Sequence, residues 1–390
     1  MNLKKVLVSL AVCLTMVPFI QRTTVQAEEL VRDGKAAILM EAQTGEILYE
    51  KDIHKQLAPA SMTKLMSMYL ILEAIHNELF DWEEIVTVSE HAASLGGSQV
   101  YLKPGEEMSV KDLFKSIALA SANDSVTALG ERVAGSEERF IEMMNEKAAE
   151  LGMENSVFKN PTGLSAEGHL TTPYDMAILA RNLLSRFPEV LEFTQLYEDY
   201  IRQDSDSPFW LVNTNHKLLR FVDGADGLKT GYTQKAGFCL TATAKRGDMR
   251  VITVVMGSSK ADLRNQDTAA LIEYAFSQYE LVPKIEMGTI VSSNYNMLAR
   301  NREFNIITSE PISVLKNKTD VEQAEDYTVK INSDLTLPIH PGDEVGTLTY
   351  YYNGEEHMTI SLTVAESIEK NSFIGLFTHI VSQLLFGGNV

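Results

Sequence analysis

The sequence predicts an α/β protein of the α+β kind: a mixed α/β domain, a small all-β domain and an amphipathic terminal helix. Three observations carry this prediction. Strand-like stretches near residues 35–52 and 226–257 enclose a long block of helical periodicity, the pattern of one sheet with a helical lobe beside it. After Pro283 the helical period gives way to short alternating runs such as "FNIITSE", "ISVLKN" and "TLTYYYNGEEHMTISLTV". Residues 373–385 then return to helical spacing. The expected boundaries are 1–27, 28–280, 281–365 and 366–390.

The first segment, "MNLKKVLVSLAVCLTMVPFIQRTTVQA", pairs Lys4 and Lys5 with an apolar core and a small-residue end at Ala27. That is the form of an export signal removed from the mature chain. The run is short for a membrane span and Arg22 soon follows it. The stretch "KAAILMEAQTGEILYEKD" reads as two strands around a turn at Gln43-Thr44-Gly45. Next, "LAPASMTKLMSMYLILEAI" is apolar around nearly its whole circumference, so it is a buried helix, with Pro59 suited to its first turn. Ser61, Lys64 and Ser67 interrupt it at a spacing of three, which aligns them on one stripe. "VKDLFKSIALA" and "SVTALGERVAG" read as helices separated by Ser121-Ala122-Asn123-Asp124, and a charged amphipathic helix spans about 137–151. Pro173 opens another helix. "GLKTGYT", "GFCLTATA" and "MRVITVVMG" are strands, the last two joined by a tight turn at Arg246-Gly247-Asp248, and "LIEYAFSQY" closes the domain as a helix. In the β domain Asn353-Gly354 signals a two-residue hairpin. In the tail, Phe373, Leu376, Phe377, Ile380, Val381, Leu384 and Leu385 form an apolar stripe too short to span a bilayer. Such a helix lies in a membrane surface, or packs on its own protein or an oligomer partner.

Among 390 residues, 53 acidic and 34 basic side chains give a net charge of −19, or about −22 once Lys4, Lys5 and Arg22 leave with the signal. Nucleic acid is therefore a poor partner, since phosphate binding needs clustered Lys and Arg. Cys13 lies in the signal, so Cys239 stands alone and the mature chain has no intramolecular disulfide. The eight histidines show no H-E-x-x-H spacing and no paired cysteines accompany them, which argues against a zinc hydrolase. No metal or organic cofactor is implied.

A lysine inside a greasy helix is costly unless its surroundings use it. Burial disfavours the ammonium, and a free amine three residues from Ser61 can activate that hydroxyl without histidine. Alone, S-x-x-K equally fits a lysine snorkelling to water. Two further motifs follow in order, Ser121-Ala122-Asn123 and Lys229-Thr230-Gly231. Each by itself could be a helix cap or a turn, but an ordered S-x-x-K, S-D-N, K-T-G set resembles the signature of penicillin-binding proteins and class A β-lactamases. In an acyl transfer, Ser61 attacks a carbonyl and Lys64 takes its proton. Ser121 relays a proton to the departing amine, and Asn123 holds Lys64 or a substrate amide. Lys229 and Thr230 meet a substrate carboxylate, and Gly231 leaves room for substrate against the strand. The backbone N–H groups of Ser61 and Tyr232 are the chosen oxyanion donors.

Beyond the motifs, "LAPASMTK", "SEHAASLGGSQVYLKPGEEMSV", "NPTGLSAEGH", "WLVNTN" and "VDGADGLKTGYT" resemble the low-molecular-mass penicillin-binding proteins that act as serine D-alanyl-D-alanine carboxypeptidases, sporulation-associated members above all. The resemblance implies the penicillin-binding-protein/β-lactamase-like transpeptidase fold, with a C-terminal β domain and a helix that holds it near the membrane. It implies removal of the last D-alanine from peptidoglycan pentapeptides through a Ser61 acyl-enzyme, β-lactams as covalent inhibitors, and a location at the outer face of the cytoplasmic membrane or beyond it. By the same resemblance Arg264 matches an arginine that helps bind the terminal carboxylate, and His169 a histidine bordering the pocket. Tyr232 stands where some relatives have histidine. Two alternatives share the motifs: a β-lactamase, for which no E-x-x-L-N equivalent is found between Ser121 and Lys229, and a non-catalytic module that binds wall peptides or β-lactams.

Overall fold

The computed structural model describes residues 30–203, 207–321 and 323–386. The proposed signal segment lies outside them. Along the chain, β1 (Ala36–Glu41) and β2 (Ile47–Lys51) form an antiparallel hairpin. A 3-10 turn, Ala60–Thr63, leads into α1 (Lys64–His76). The sequence favoured one continuous helix; instead Ser61 sits in the tighter turn and Lys64 opens the α-helix. Two short strands, β3 (Ile85–Thr87) and β4 (Glu107–Ser109), pair around α2 (Glu90–Ser94).

The lobe continues with α3 (Val110–Ala120), α4 (Asn123–Ala134) and α5 (Glu137–Glu150). Ser109 and Ser136 cap α3 and α5 through their hydroxyls. Only Ser121 and Ala122 separate α3 from α4, because Ser121 adopts a left-handed φ of +61° that turns the chain at once. Thr172 caps α6 (Pro173–Arg186), with proline at its start. The short helix α7 (Val190–Thr194), the hairpin β5 (Glu198–Ile201) with β6 (Phe209–Val212), and α8 (His216–Phe221) follow.

Three long strands, β7 (Ala225–Thr233), β8 (Gly237–Arg246) and β9 (Met249–Ser258), complete a five-stranded antiparallel sheet in the order β2-β1-β9-β8-β7. The first and last parts of the domain thus meet in mid-sheet, and β7 is left as an edge. Ile252, Val254 and Met256 face the apolar core shared with α1, α3, α4 and α6. The alternate residue Val255 faces the N-terminal chain and Asp267 of α9 (Ala261–Gln278), which covers the other side. This helix begins ten residues before the periodic stretch at Leu271, because its first turns carry polar residues that hide the period.

The C-terminal strands start directly after α9. β10 (Tyr279–Ile285) pairs with β13 (Ile312–Asn317), while β11 (Ile290–Tyr295), β12 (Glu303–Thr308), β14 (Glu325–Ile331), β15 (Gly346–Tyr352) and β16 (Glu355–Val364) form a sheet in the order β11-β12-β16-β15-β14. Asn353 and Gly354 hold φ of +56° and +79° between β15 and β16, the left-handed pair a two-residue hairpin needs. Ile306, Val314, Leu348, Ile360 and Leu362 fill a separate core. The tail forms α10 (Phe373–Phe386), on which Phe373, Ile374, Phe377, Ile380 and Leu385 are exposed.

Candidate active site

Ser61 lies half-buried in its 3-10 turn, one residue after Ala60, which takes a left-handed φ of +48°. Several contacts clamp that turn. Thr63 Oγ1 donates to the Ala60 carbonyl at 2.8 Å, and His169 Nε2 lies 2.9 Å from the same hydroxyl. Since the hydroxyl proton is committed to Ala60, the imidazole must be the donor, which fixes the Nε2–H tautomer. His169 is buried against Phe158, and burial lowers its pKa to about 4, aided by Lys159. Gly163, at φ +84°, passes so close that a Cβ there would fall 1.9 Å from the Ala60 oxygen. On the opposite side a Cβ on Gly231 would sit 2.9 Å from the Pro59 oxygen and 3.0 Å from the Ser61 nitrogen. The edge strand β7 therefore abuts the serine turn because residue 231 has no side chain.

Lys64 is completely buried. Its Nζ lies 2.7 Å from Asn123 Oδ1, 2.6 Å from the Thr162 carbonyl and 3.3 Å from Ser61 Oγ. Burial pushes the pKa of Lys64 well below the ordinary lysine value, and the Lys229 charge lowers it further, with Asp124 opposing. Carbonyl oxygens can only accept, so a neutral amine spends its two N–H bonds on Asn123 and Thr162. Its lone pair is then left for the Ser61 hydroxyl. Asn123 is itself oriented: Nδ2 donates to the Gly96 carbonyl at 2.7 Å and its backbone N–H to Ser98 at 2.7 Å. Asn160 Oδ1 gathers the N–H groups of Thr162 and Gly163, shaping the turn that presents the Thr162 carbonyl. Ser67, the third member of the stripe, donates to the Pro161 carbonyl at 2.9 Å and braces the same turn.

Ser121 Oγ is buried and has no hydrogen-bond partner among the described residues. Lys229 is completely buried on β7; its Nζ donates to the Thr230 carbonyl at 3.1 Å. Burial first and Arg264 second lower its pKa to about 7. Thr230 Oγ1 donates to Thr214 Oγ1 at 2.8 Å. Arg264, on the first turn of α9, is buried and donates to the Cys239 carbonyl at 3.3 Å and to Asn265 Oδ1. Burial lowers its pKa to about 10. Tyr232 is 56% exposed and stacks on Phe238 with ring centroids 4.3 Å apart. The structure thus joins Ser61, Lys64 and Asn123 by direct contact, sets Gly231 against them, and couples Lys229 to Lys64 through their charges. Sequence reasoning gave no role to Thr162, whose contribution is a backbone carbonyl without a side-chain signature. It gave none to Thr214 either, although "WLVNTN" contains it.

A family model described as D-alanyl-D-alanine carboxypeptidase matches residues 21–260. The chain belongs to the D-alanyl-D-alanine carboxypeptidase family. A second model, described as the C-terminal domain of penicillin-binding protein 5, matches residues 279–370. D-alanyl-D-alanine carboxypeptidase DacF of Bacillus subtilis (strain 168) is 44% identical over 363 residues, 93% of each chain. DacC of Escherichia coli (strain K12) is 33% identical over 366 residues, 92% of this chain and 89% of that one. Among solved structures, DacD from Francisella tularensis aligns with a TM-score of 0.66 at 28% identity, covering 91% of this chain and all of its own. Penicillin-binding protein D2 from Listeria monocytogenes, in its ampicillin-bound form, aligns at 0.56 and 36% identity over 62% and 97%. The chain is accordingly a serine-type D-alanyl-D-alanine carboxypeptidase with the mixed fold of the penicillin-binding proteins and a β-rich C-terminal domain, acting on the cell wall outside the cytoplasm. These similarities set aside the β-lactamase and the non-catalytic module. No helix among the described residues is long and apolar enough to cross a membrane.

Proposed function

We propose that Ser61 is the nucleophile and Lys64 its base in removing the terminal D-alanine from peptidoglycan pentapeptides. The observation that carries this reading is the pair of carbonyl acceptors, Asn123 Oδ1 and Thr162 O, which turn the lone pair of a neutral Lys64 toward Ser61. Ser61 Oγ bonds to the carbonyl carbon of the fourth residue while its proton passes to Lys64. The N–H groups of Ser61 and Tyr232 hold the oxyanion, since β7 abuts the serine turn at Gly231. Ser121, whose buried hydroxyl is uncommitted, passes a proton to the departing amine as the C–N bond breaks and recovers one from Lys64, which returns to the neutral amine. Water then cleaves the Ser61 ester, releasing the shortened peptide and restoring the hydroxyl. Lys229, Thr230 and Arg264 supply positive charge and a hydroxyl for the terminal carboxylate.

A β-lactam offers an amide and a carboxylate of the same disposition, so it should acylate Ser61; the ampicillin-bound form of the Listeria relative supports this. Residues 1–27 direct export, residues 28–280 and 281–365 form the catalytic and β domains, and the exposed apolar stripe of α10 rests the chain on the outer membrane surface. Co-flotation with lipid vesicles, lost on removal of residues 366–390, tests the last point. The central test is mass spectrometry of a pentapeptide muropeptide incubated with the protein and with Ser61→Ala. Loss of one alanine with the unmodified protein only, and penicillin labelling that vanishes in the variant, is expected. Retained labelling of Ser61→Ala would sink the assignment.

A further inference from the structure

The hydroxyl of Thr230 is already engaged before any substrate arrives. Thr230 is nearly buried, at 8% exposure, and its Oγ1 donates to Thr214 Oγ1 at 2.8 Å. A hydroxyl carries a single proton, so Thr230 has none left to offer while that bond stands. Thr214 is exposed, and its own hydroxyl proton finds no acceptor among the described residues. Of the two threonines, the outer one therefore holds the free donor.

The segment around Thr214 fixes this residue in place. Asn213 and Asn215 are buried on either side of it. Asn213 Nδ2 donates to the Thr194 and Leu196 carbonyls at 2.9 and 2.8 Å, and its Oδ1 accepts from the Asn215 N–H at 2.8 Å. Thr214 N–H donates to the Leu119 carbonyl at 3.0 Å, two residues before Ser121. Lys217, three residues further on, pairs with Asp262 at 2.8 Å, two residues before Arg264. One short segment is thus tied to β7 through Thr230, to the end of α3 that leads to Ser121, and to the first turn of α9 that carries Arg264. Apart from its bond with Thr230, the exposed Thr214 hydroxyl contributes nothing to this packing.

We propose that Thr214 donates a hydrogen bond to the terminal carboxylate of the substrate, with Thr230 donating to Thr214 from behind. This rests on the carboxypeptidase reading above and adds a residue to it, since the pair of threonines, rather than Thr230 alone, then supplies the hydroxyl. A hydroxyl that accepts one hydrogen bond is a better donor in the next, because such chains polarise one another. A carboxylate accepts at about four lone-pair positions, so the cations of Lys229 and Arg264 leave room for it. Those cations attract any anion, whereas a hydroxyl held by a clamped segment rewards one position of the carboxylate. A neutral amide end gains less from the same donor, because the bond to an ionised acceptor is the stronger. Thr214 accordingly helps the site choose a free carboxyl end.

The test compares two substrates of the full chain: an N-acylated D-Ala-D-Ala peptide, which releases D-alanine, and its C-terminal amide, which releases D-alaninamide. In Thr214→Val, which keeps the side-chain volume, KM for the acid should rise about tenfold, the scale of a hydrogen bond to a charged group, while kcat stays within about twofold. The preference for acid over amide in kcat/KM should fall by the same factor. Thr214→Ser should restore both. Adding Thr230→Val to Thr214→Val should raise KM less than about twofold further, since Thr230 acts through Thr214. An unchanged KM in Thr214→Val, or an equal loss for acid and amide, would overturn the proposal. So would a further tenfold rise on adding Thr230→Val, because Thr230 would then meet the carboxylate by itself. Should the unmodified protein release neither product, the carboxypeptidase reading fails instead. Calorimetric titration with the peptide acid then decides: binding weakened about tenfold in Thr214→Val supports the contact, and equal binding by both proteins, or none by the unmodified chain, refutes it.

Discussion

The catalytic domain and the C-terminal β domain bury different kinds of side chain. In the first, Lys64, Asp124, His169, Lys229, Arg264 and Asp267 are all inside. In the second, among the described residues, hydrocarbon fills the core and the buried polar side chains are the hydroxyls of Thr308, Ser313 and Thr363, with Tyr350 beside them. Burying an ionisable group costs several kcal/mol unless partners compensate. A fold that only needs stability therefore does what the β domain does. The catalytic domain carries the penalty in part at residues around Ser61, and there burial first and the Lys229 charge second lower the pKa of Lys64.

The sharpest way to break the comparison is to make the catalytic interior hydrocarbon too. Lys64→Met keeps the bulk of the side chain and removes the base, and should slow D-alanine release by about 10³- to 10⁴-fold, the range of general-base catalysis. Lys330→Met, on the exposed face of β14, should leave the rate unaltered. Steady-state assays of both variants, with circular dichroism to verify the fold, decide the matter. A Lys64→Met enzyme within tenfold of the original would remove that lysine from the chemistry.

Glycines sharpen the contrast. Gly163 and Gly354 are both left-handed, at +84° and +79°. A methyl at Gly354 meets nothing within 4 Å, so Gly354→Ala should cost only the conformational penalty, about 1–2 kcal/mol. At Gly163 the same methyl strikes the Ala60 oxygen, so the serine turn must move. Gly163→Ala should abolish penicillin labelling, while Gly354→Ala should lower the β domain's melting temperature and retain labelling. Equal labelling of the two would contradict the proposed packing role of Gly163.

How much of this was legible in the sequence follows the same division. The fold class was readable because strand, helix and hairpin signals are local: Ser109, Ser136 and Thr172 cap their helices, and Asn353-Gly354 turns β15 into β16. The 3-10 turn at Ser61 was not, since Ala60 is left-handed only because tertiary contacts hold it. The start of α9 was hidden by its polar first turns, and β11 by its exposed, weakly alternating sequence. At the site, residue types pointed to Ser61, Lys64 and Asn123, which the structure brings into contact. The carbonyl of Thr162 and the Thr214–Thr230 bond arise from chain segments whose approach no local pattern encodes.

His169 gives a smaller, pH-dependent effect. Its folded pKa is about 4 against an ordinary 6.5, so between these values the unfolded chain binds more protons. The stability it contributes is present above pH 6.5 and is lost as pH falls toward 4, at most about 3 kcal/mol for a shift of this size. Thermal melts should show the catalytic transition falling steeply over that window. His169→Gln, which can still donate to Thr63, should flatten the fall. The β domain, with no buried histidine among its described residues, should show no such dependence. An unchanged slope in His169→Gln would mean that another group titrates.

Lys229 offers the mildest test and separates binding from chemistry. Its pKa near 7 arises from burial and then from Arg264, so the free enzyme loses this cation as pH rises through 7. Only the ammonium attracts a substrate carboxylate, whereas a bound carboxylate pulls the proton back on. KM should therefore climb above pH 7, about fivefold from pH 7 to 8 for a single titration, while kcat stays level over the same range. Removing the neighbouring charge in Arg264→Gln should move the rise in KM to higher pH even as it weakens carboxylate binding at every pH. Lys229→Arg, which cannot lose its proton, should abolish the rise. A KM that stays flat to pH 9 in the unmodified enzyme would show that the carboxylate is held by something other than the Lys229 ammonium.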